Sequence, residues 1–438
     1  MLKNKIPEPE PQCAAPQAQG SAITAAHVND KLVCRLAIDI GGTFTDAVLE
    51  DAAAGAQCDE STHVAVKVLT TPQAPAEGLM EAARRALGAG GRRPDQVRLV
   101  LHGTTLATNA VLERRGAVTA VLTTRGFRDV LDIGHGGRHD RHDPCLRRTP
   151  PLVPRRLRFE VRQRHSARGE ELEPLDEAGV EAAAAALRAE GAESVAVCFL
   201  HSSANRAHEE RAAAILRPLL PGVSVCTSSA VSPEVKEYER FSTAVVNAYV
   251  KPLMSKYLRD AQARLKAAGF SCPLLLMTSG GGLTDADTVA DLPVRLVESG
   301  PAGGVVLAEN VARELGAGAA LSLDMGGTTA KVCVLSSGRA VAAREFEVDR
   351  AERFRKHSGL PVRIPCLDLV EISGGGGSVA STDAVGAVAV GPLSAGADPG
   401  PACYGRGGQQ ATVTDADVLL GRIDAHAAFA GGEVTLQP

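Results

Sequence analysis

A short device that occurs twice constrains this chain more than any other feature. Ile38-Asp-Ile-Gly-Gly-Thr-Phe-Thr-Asp-Ala-Val-Leu49 is echoed by Leu323-Asp-Met-Gly-Gly-Thr-Thr-Ala-Lys-Val-Cys-Val-Leu335. In each copy an apolar strand ends in aspartate, two glycines permit a tight turn, threonine supplies a hydroxyl, and an apolar strand returns. Glycine amides can converge on phosphate oxygens with no Cβ in the way, and a carboxylate on the adjacent strand can hold magnesium or orient water. One copy alone reads equally well as an ordinary hairpin turn. Two copies in different halves point to paired phosphate cradles, with Asp39 and Asp324 as the candidate carboxylates. The sequence contains no Gly-x-x-x-x-Gly-Lys-Ser/Thr and no Gly-x-Gly-x-x-Gly after a strand, so neither a P-loop nor a dinucleotide site is indicated.

Around the two copies the pattern is that of an α/β protein. From about Leu32, aliphatic runs at Leu36 to Ile40, Ala47 to Glu50, Val64 to Leu69, Val97 to Leu101 and Val118 to Thr123 predict strands, separated by stretches rich in Ala, Glu and Arg. Asp176 is placed to cap a helix over Glu177 to Glu190, which Gly191 stops before a strand at Ser194 to Leu200. A helix over His208 to Leu219 and a strand over Val223 to Thr227 follow. The stretch Pro233 to Ala268 is helical in pattern, and Pro252 should kink or split it. Strand, glycine turn and helix resume at Pro273 to Asp285, Val297 to Leu315 and Leu321 to Leu335, and Ser373 to Gly408 reads as glycine-rich and strand-poor. These shifts divide the chain into a disordered tail (1–31), a first domain (32–228) and a second domain (229–438).

Charge excludes some classes of partner. Lys and Arg total 47 against 51 Asp and Glu, a net charge of -4, which offers no global attraction to nucleic acid or an anionic membrane. The longest apolar runs, Val195 to Leu200 and Leu274 to Met277, are far shorter than the roughly 20 residues that span a bilayer. The first 30 residues carry no apolar core of the kind a secretion signal needs, so a cytoplasmic location is expected. Ten scattered cysteines with no Cys-x-x-Cys spacing suggest reduced thiols rather than zinc or redox chemistry.

Several further segments sharpen the reading. Ala37 to Asp46 is followed by His102-Gly-Thr-Thr-Leu-Ala-Thr-Asn-Ala110 and Thr124-Arg-Gly-Phe-Arg-Asp-Val-Leu131. The second half adds Glu298-Ser-Gly-Pro-Ala-Gly-Gly304, Gly374-Gly-Gly-Gly-Ser-Val-Ala380, Val390 to Gly405 and Thr412-Val-Thr-Asp-Ala416. The paired hairpins resemble the two phosphate loops of the actin and sugar-kinase superfamily. The whole set, from about 34 to 432, resembles the hydantoinase A/5-oxoprolinase family, which includes N-methylhydantoinase and subunits of acetone and acetophenone carboxylases.

The resemblance implies two actin-like, ribonuclease H-like domains with a nucleotide cleft between them, the second incomplete. It implies an ATP-dependent hydrolase subunit that phosphorylates a cyclic amide of hydantoin or 5-oxoproline type for ring opening with a hydantoinase B-type partner, since phosphate turns a poor leaving oxygen into a good one. A ketone carboxylase subunit using the same step on an enolate, or a nucleotide-gated scaffold without catalysis, are the other readings. ATP with Mg2+ or Mn2+ would sit on Gly41, Gly42, Thr43 and Thr45 and on Gly326, Gly327, Thr328, Thr329 and Lys331, with Asp39 and Asp324 as metal ligands. His102, Thr104 and Thr105 are assigned to catalysis with the two aspartates, and Thr108, Asn109, Gly375 and Gly376 to the substrate.

Three segments keep a second meaning. The hydroxyls of the His102 to Ala110 loop could simply cap the following helix. The glycines of Gly374 to Gly377 could cradle phosphate or only let backbones approach. The run Asp132 to Asp143 holds His135, His139 and His142, enough ligand types for a metal, but its glycines and arginines favour solvated or substrate-proximal side chains. Members of the family continue for roughly 250 further residues. The implied consequence is that the purified chain alone binds nucleotide weakly and turns over negligibly.

Overall fold

In the computed structural model, which describes residues 34–42, 44–51, 63–71, 73–138, 140–146, 148–327, 330–352, 355–372, 374–382, 385–396, 399–426 and 435–438, the first copy of the repeat forms β1 (Cys34–Ile40) and β2 (Phe44–Asp51). The expected N-terminal tail, Thr43, Thr328, Thr329, Ser373 and His139 lie outside the described residues. On β1 the residues Cys34, Leu36, Ile38 and Ile40 are buried and the intervening positions are not, the period of two of a strand with one covered face. β2 returns antiparallel and pairs with β3 (His63–Leu69). Helix α1 (Pro75–Ala89), with proline in its first turn, lays Ala76, Leu79, Ala82, Ala83 and Ala86 against these strands. β4 (Val97–Thr104) then runs parallel to β1, and α2 (Leu106–Leu112) leaves from its end.

The chain next builds a separate parallel sheet. β5 (Thr119–Thr124) is followed by α3 (Val130–Ile133), β6 (Arg158–Val161), the small hairpin of β7 (Arg164–His165) and β8 (Glu171–Glu173), α4 (Glu177–Ala189), β9 (Ser194–Cys198), α5 (Ala207–Leu219) and β10 (Ser224–Thr227). The order is β10-β9-β5-β6, all parallel. Every residue of β5 and β9 is buried, as expected for strands covered by helices on both faces. The Asp176 carboxylate accepts from Gly179 N at 3.0 Å, capping α4 as its position predicts.

After α6 (Ser228–Val231), α7 (Glu237–Ala267) runs 31 residues without a break through Pro252. The expected split does not occur. Proline costs a helix interior about 3 kcal/mol, but Val250, Met254, Tyr257 and Leu258 are buried on either side of it. Each such side chain contributes about 1.5–3 kcal/mol on burial, so packing outweighs the lost hydrogen bond. α7 touches β9 and β10 of the parallel sheet and α1 and α2 of the first sheet, so it ties the two together.

Beyond residue 228 the chain re-enters the first sheet. β11 (Leu274–Met277) pairs parallel with β4, and β12 (Leu283–Asp285) pairs antiparallel with β11, giving the order β12-β11-β4-β1-β2-β3. After α8 (Ala286–Asp291), helix α9 (Ser299–Glu314) contacts both β4 and β11 and the second repeat, β13 (Ala319–Met325) and β14 (Ala330–Ser336). Short strands β15 (Arg339–Ala340), β16 (Ala342–Ala343), β17 (Phe346–Val348), β18 (Leu360–Val362) and β19 (Cys366–Leu367) lead to β20 (Leu369–Ile372). β20 pairs antiparallel with β14, as β3 does with β2. The region expected to be strand-poor contains a hairpin of β21 (Ser378–Thr382) and β22 (Val388–Ser394), and α10 (Val413–Leu419) follows. No helix among the described residues is long and apolar enough to cross a membrane.

Candidate functional site

The first hairpin is built to hold one carboxylate at the end of a strand. Asp39 stands on the face of β1 opposite the buried Ile38 and Ile40, next to Asp46 on β2 and Gly103 on β4. Its side chain stays open to solvent although protein crowds around it, the combination found at the floor of a cleft. A Cβ at position 103 would come within 2.5 Å of Asp39 Oδ1, so only glycine leaves that seat free. The Asp39 pKa is raised, first by partial burial and then by the charges of Asp46 and Asp324, with Lys67 opposing. Asp324, 285 positions further along the chain, is therefore within electrostatic reach of Asp39. Lys67 is occupied by Asp46, at 2.5 Å.

The turn is braced from below. Gly41 N donates to Phe44 O at 2.9 Å. Thr70 donates its hydroxyl to Gly41 O at 3.0 Å and lies 3.1 Å from the Thr45 hydroxyl. Thr45 is wholly buried, so its hydroxyl supports the turn and does not face a ligand, unlike the cofactor contact expected for it. Gly42 is exposed, with Asn109 Nδ2 3.6 Å from where its Cβ would be.

The loop after β4 divides into a buried and an open part. His102, expected in catalysis, is 1% exposed. Its Nδ1 donates to Ile38 O at 2.9 Å, and its Nε2 accepts from the Tyr257 hydroxyl at 2.7 Å. A carbonyl can only accept, which fixes this tautomer, and burial pushes the imidazole pKa down to about 4. His102 thus offers no free nitrogen; it locks β4 to β1 and α7. Thr104 is buried, its hydroxyl accepting from Leu106 N at 3.2 Å. Thr105 and Asn109, joined at 3.2 Å, remain partly open beside Gly42 and Gly300.

The second hairpin meets this loop through the start of α9. Glu298 N donates to Thr108 Oγ1 at 2.9 Å, and Ser299 Oγ donates to Thr104 O at 3.4 Å. Glu298 takes a left-handed backbone, φ 66°, to enter the helix. Its carboxylate pairs with Lys331, which lies opposite Asp324 on β14. Lys331 is thereby tied to the helix start and not free as the phosphate contact expected of it.

Gly326 and Gly327 are exposed at the turn, and the glycine run backs them. Gly376 N donates to Gly326 O at 3.0 Å and Gly377 N to Gly327 O at 2.7 Å, while Gly375 N donates to Ser378 Oγ at 2.9 Å. With those amides engaged, Gly375 and Gly376 have no donor left for a substrate. The glycine at 376 is explained by close approach: a Cβ there would lie 2.7 Å from Thr414 Oγ1.

The order of segments along this site decides the family. A sequence model described as hydantoinase/oxoprolinase N-terminal region matches residues 35–220, and one described as hydantoinase/oxoprolinase matches residues 240–438. The chain belongs to the hydantoinase/oxoprolinase family. Among this family's members, the caprolactamase subunit alpha of Pseudomonas jessenii is 36% identical over 412 residues, covering 92% of this chain and 56% of that relative. The crystal structure of ATP-dependent caprolactamase from the same organism superposes with a TM-score of 0.75 at 35% identity, over 92% of this chain and 57% of that one. Nucleotide-free acetone carboxylase, described for ATP-dependent acetone carboxylation, superposes with a TM-score of 0.76 at 26% identity, over 92% and 57%. The chain spans little more than half the length of these relatives.

Two residues of this hydantoinase-family site stood in the quoted motifs with no role assigned, and a buried charged pair in the parallel sheet was missed altogether. The roles of Gly103 and Glu298 are visible only through their contacts with Asp39 and Lys331. Glu209 and Arg240 form a buried charged network: Glu209 accepts from Phe199 N, Ser228 Oγ, Ser229 N and Ser229 Oγ at 2.6–2.8 Å, and Arg240 Nη2 donates to Phe199 O at 3.0 Å. The available signal was the pair His208-Glu209 on the face of α5 that also carries the buried Ala212, Ala213 and Leu216. Of the histidine run, His135 packs edge-on against Tyr238 and His357, and among the described residues neither it nor His142 belongs to a group of metal-ligating side chains.

Proposed function

We propose that this chain is the phosphoryl-transfer part of an ATP-dependent enzyme that activates the carbonyl oxygen of a cyclic amide, of hydantoin or 5-oxoproline type. Ring opening is completed with a hydantoinase B-type partner. The observation that carries the reading is the meeting of the two repeated hairpins at the start of α9, where Glu298 bonds Thr108 of α2, beside the first, and pairs with Lys331, opposite Asp324, of the second. Two carboxylates that repel each other in a crowded cleft fit a divalent cation, and Mg2+ commonly takes one or two carboxylates with the rest of its ligands from phosphate and water. Bound there, Mg2+ would neutralise charge on the transferred phosphoryl group.

The residues of the chain then divide the work. Asp39 and Asp324 hold the cation from opposite hairpins. The backbone of Gly41 and Gly42 and of Gly326 and Gly327 offers close approach to phosphate, with Thr43, Thr328 and Thr329 proposed as hydroxyl donors beside them. Thr105 and Asn109, the open members of the β4 loop, face the side where the amide would lie and supply donor and acceptor groups to it. Thr104, Thr108, His102 and Thr45 position this surface from behind.

The similarity to acetone carboxylase supports one other reading, the same phosphorylation used on a ketone enolate. Phosphate release measured with the partner subunit present, over a panel of cyclic amides and ketones with and without bicarbonate, separates the two. Release that needs a cyclic amide and no bicarbonate is the expected result. Dependence on bicarbonate assigns the carboxylase reading. Full substrate-dependent release in Asp39→Asn, or in Thr105→Ala, would overturn the assignment of the site and favour a nucleotide-gated scaffold.

A further inference from the structure

The parallel sheet carries a second cluster of ligating side chains that the phosphoryl-transfer reading does not use. His165 on β7 lies opposite Glu171 on β8, and His208 reaches them from the first turn of α5. One ligand atom from each lies within 4.8 Å of the others. Both imidazoles are almost fully buried, at 1% and 6% exposure, and stack with centroids 3.9 Å apart, while Glu171 closes the group on the solvent side. Among the described residues this is the one group of three or more His, Cys, Asp or Glu side chains arranged this way.

Hydrogen bonding around His208 indicates what the cluster is for. Its Nδ1 lies 3.0 Å from Oε1 of Gln163, an acceptor, so Nδ1 carries the proton. Gln163, itself buried, is held in that orientation because its amide donates to Thr124 Oγ1, which also accepts from Leu200 N at 2.9 Å. His208 Nε2 faces Glu171 Oε2 at 2.9 Å, so it either carries a second proton or shares a cation with that carboxylate. Two acceptors at that distance repel unless a proton or a cation sits between them. A neutral imidazole oriented through its far nitrogen by a buried amide is the arrangement by which proteins fix a metal-binding histidine.

We infer that His165, His208 and Glu171 form a zinc site that staples the β7–β8 hairpin to α5. Two imidazole nitrogens and one carboxylate suit Zn2+, at about 2.0–2.2 Å from each, with a fourth position left to water on the exposed Glu171 side. The 2.9 Å between His208 Nε2 and Glu171 Oε2 would open by a few tenths of an ångström to the spacing of neighbouring ligands in such a shell. The site belongs to the parallel sheet and not to the sheet that carries Asp39, so its role is to hold the hairpin and it takes no part in phosphoryl transfer.

The test uses the full chain, stripped with a chelator and titrated with zinc against a chromophoric competitor, with Co2+ absorption as a second readout. One zinc per chain is expected, with a rise in melting temperature on binding. Glu171→Gln, a change at an exposed position that leaves the fold intact, should weaken binding at least about tenfold, and His165→Asn likewise. Circular dichroism establishes that both variants are folded. No zinc taken up by the wild-type chain at micromolar concentration overturns the proposal, and the His208–Glu171 contact is then a proton-bridged ion pair. Uptake that is unchanged in both variants also overturns it, because the ion is then held elsewhere.

Discussion

The backbone amide of Glu298 donates to the hydroxyl of Thr108 at 2.9 Å, joining the helix after β4 to the start of α9 across 190 residues of sequence. Thr108 is 7% exposed, so water does not replace the bond if the hydroxyl is removed. Thr108→Val should cost about 1–3 kcal/mol, the penalty of leaving a buried donor unpaired, whereas Thr108→Ser should cost little. Urea denaturation of the two variants measures the difference. Equal stability of both would show that the bond does not hold the halves together.

Asp39 predicts a conflict between stability and function. Its raised pKa means that the protonated form favours the fold, a contribution present at low pH and lost as pH rises through the raised value. At neutral pH without nucleotide, Asp39→Asn should melt at a higher temperature than the wild type. The same change should lower affinity for Mg2+ with a non-hydrolysable ATP analogue by about ten- to a hundredfold. Calorimetry at two pH values completes the case: wild-type affinity should fall on acidification through the raised pKa, and that of the variant should not.

Gly103→Ala tests the seat of the same carboxylate. The new Cβ would meet Asp39 Oδ1 at 2.5 Å, so the side chain must turn away. Turnover of the reconstituted enzyme should drop on the order of a hundredfold, the cost of displacing a reacting group by about 1 Å. Unfolding should remain cooperative.

His102 predicts a pH dependence of stability. Its folded pKa, about 4, lies below the ordinary histidine value. Its contribution is fully present above about pH 6.5 and is lost as pH falls from there to about 4, because the unfolded chain binds the proton more readily. His102→Asn should be less stable than the wild type at pH 8 and lose less on going to pH 5. Denaturation midpoints at those pH values provide the measurement, and parallel losses in the two proteins would refute the assignment.

Glu209 makes four hydrogen bonds with no solvent contact. Glu209→Gln puts an amide donor against donors of Ser228 or Ser229 and should cost at least about 2 kcal/mol. Thermal unfolding reads this directly. Because Arg240 shares Ser228 at 3.2 Å, the double change Glu209→Gln with Arg240→Met should cost less than the sum of the single changes.

Much of the strand pattern was legible because it is local. β1 to β5, the Asp176 cap and the glycine stop after α4 follow from alternation, a side-chain acceptor and a positive φ of 68° at Gly191. The unbroken α7 was not legible, because proline's penalty is written in the sequence while the packing that outweighs it comes from two sheets. Nor was the return of β11 to β4, since parallel pairing between residues 174 positions apart, such as Leu274 and Val100, leaves no periodic trace. For the candidate site, the glycine pairs and aspartates could be read, but not that Thr45, Lys331, Gly375 and Gly376 are occupied by partners within the chain.

Asp39 and His102 mark the division most clearly. The chain's own sequence determined that Asp39 ends a strand beside a tight glycine turn, because strand period and turn chemistry depend on a few consecutive residues; His102, expected to open a loop, lies inside β4. Which of the two would face a ligand was decided in three dimensions. Alternation specifies that Asp39 and Ile38 look to opposite faces, but not which face is covered. The covering element is α7, whose Tyr257 reaches His102 from 155 residues away, desolvates its ring and leaves the open face to Asp39.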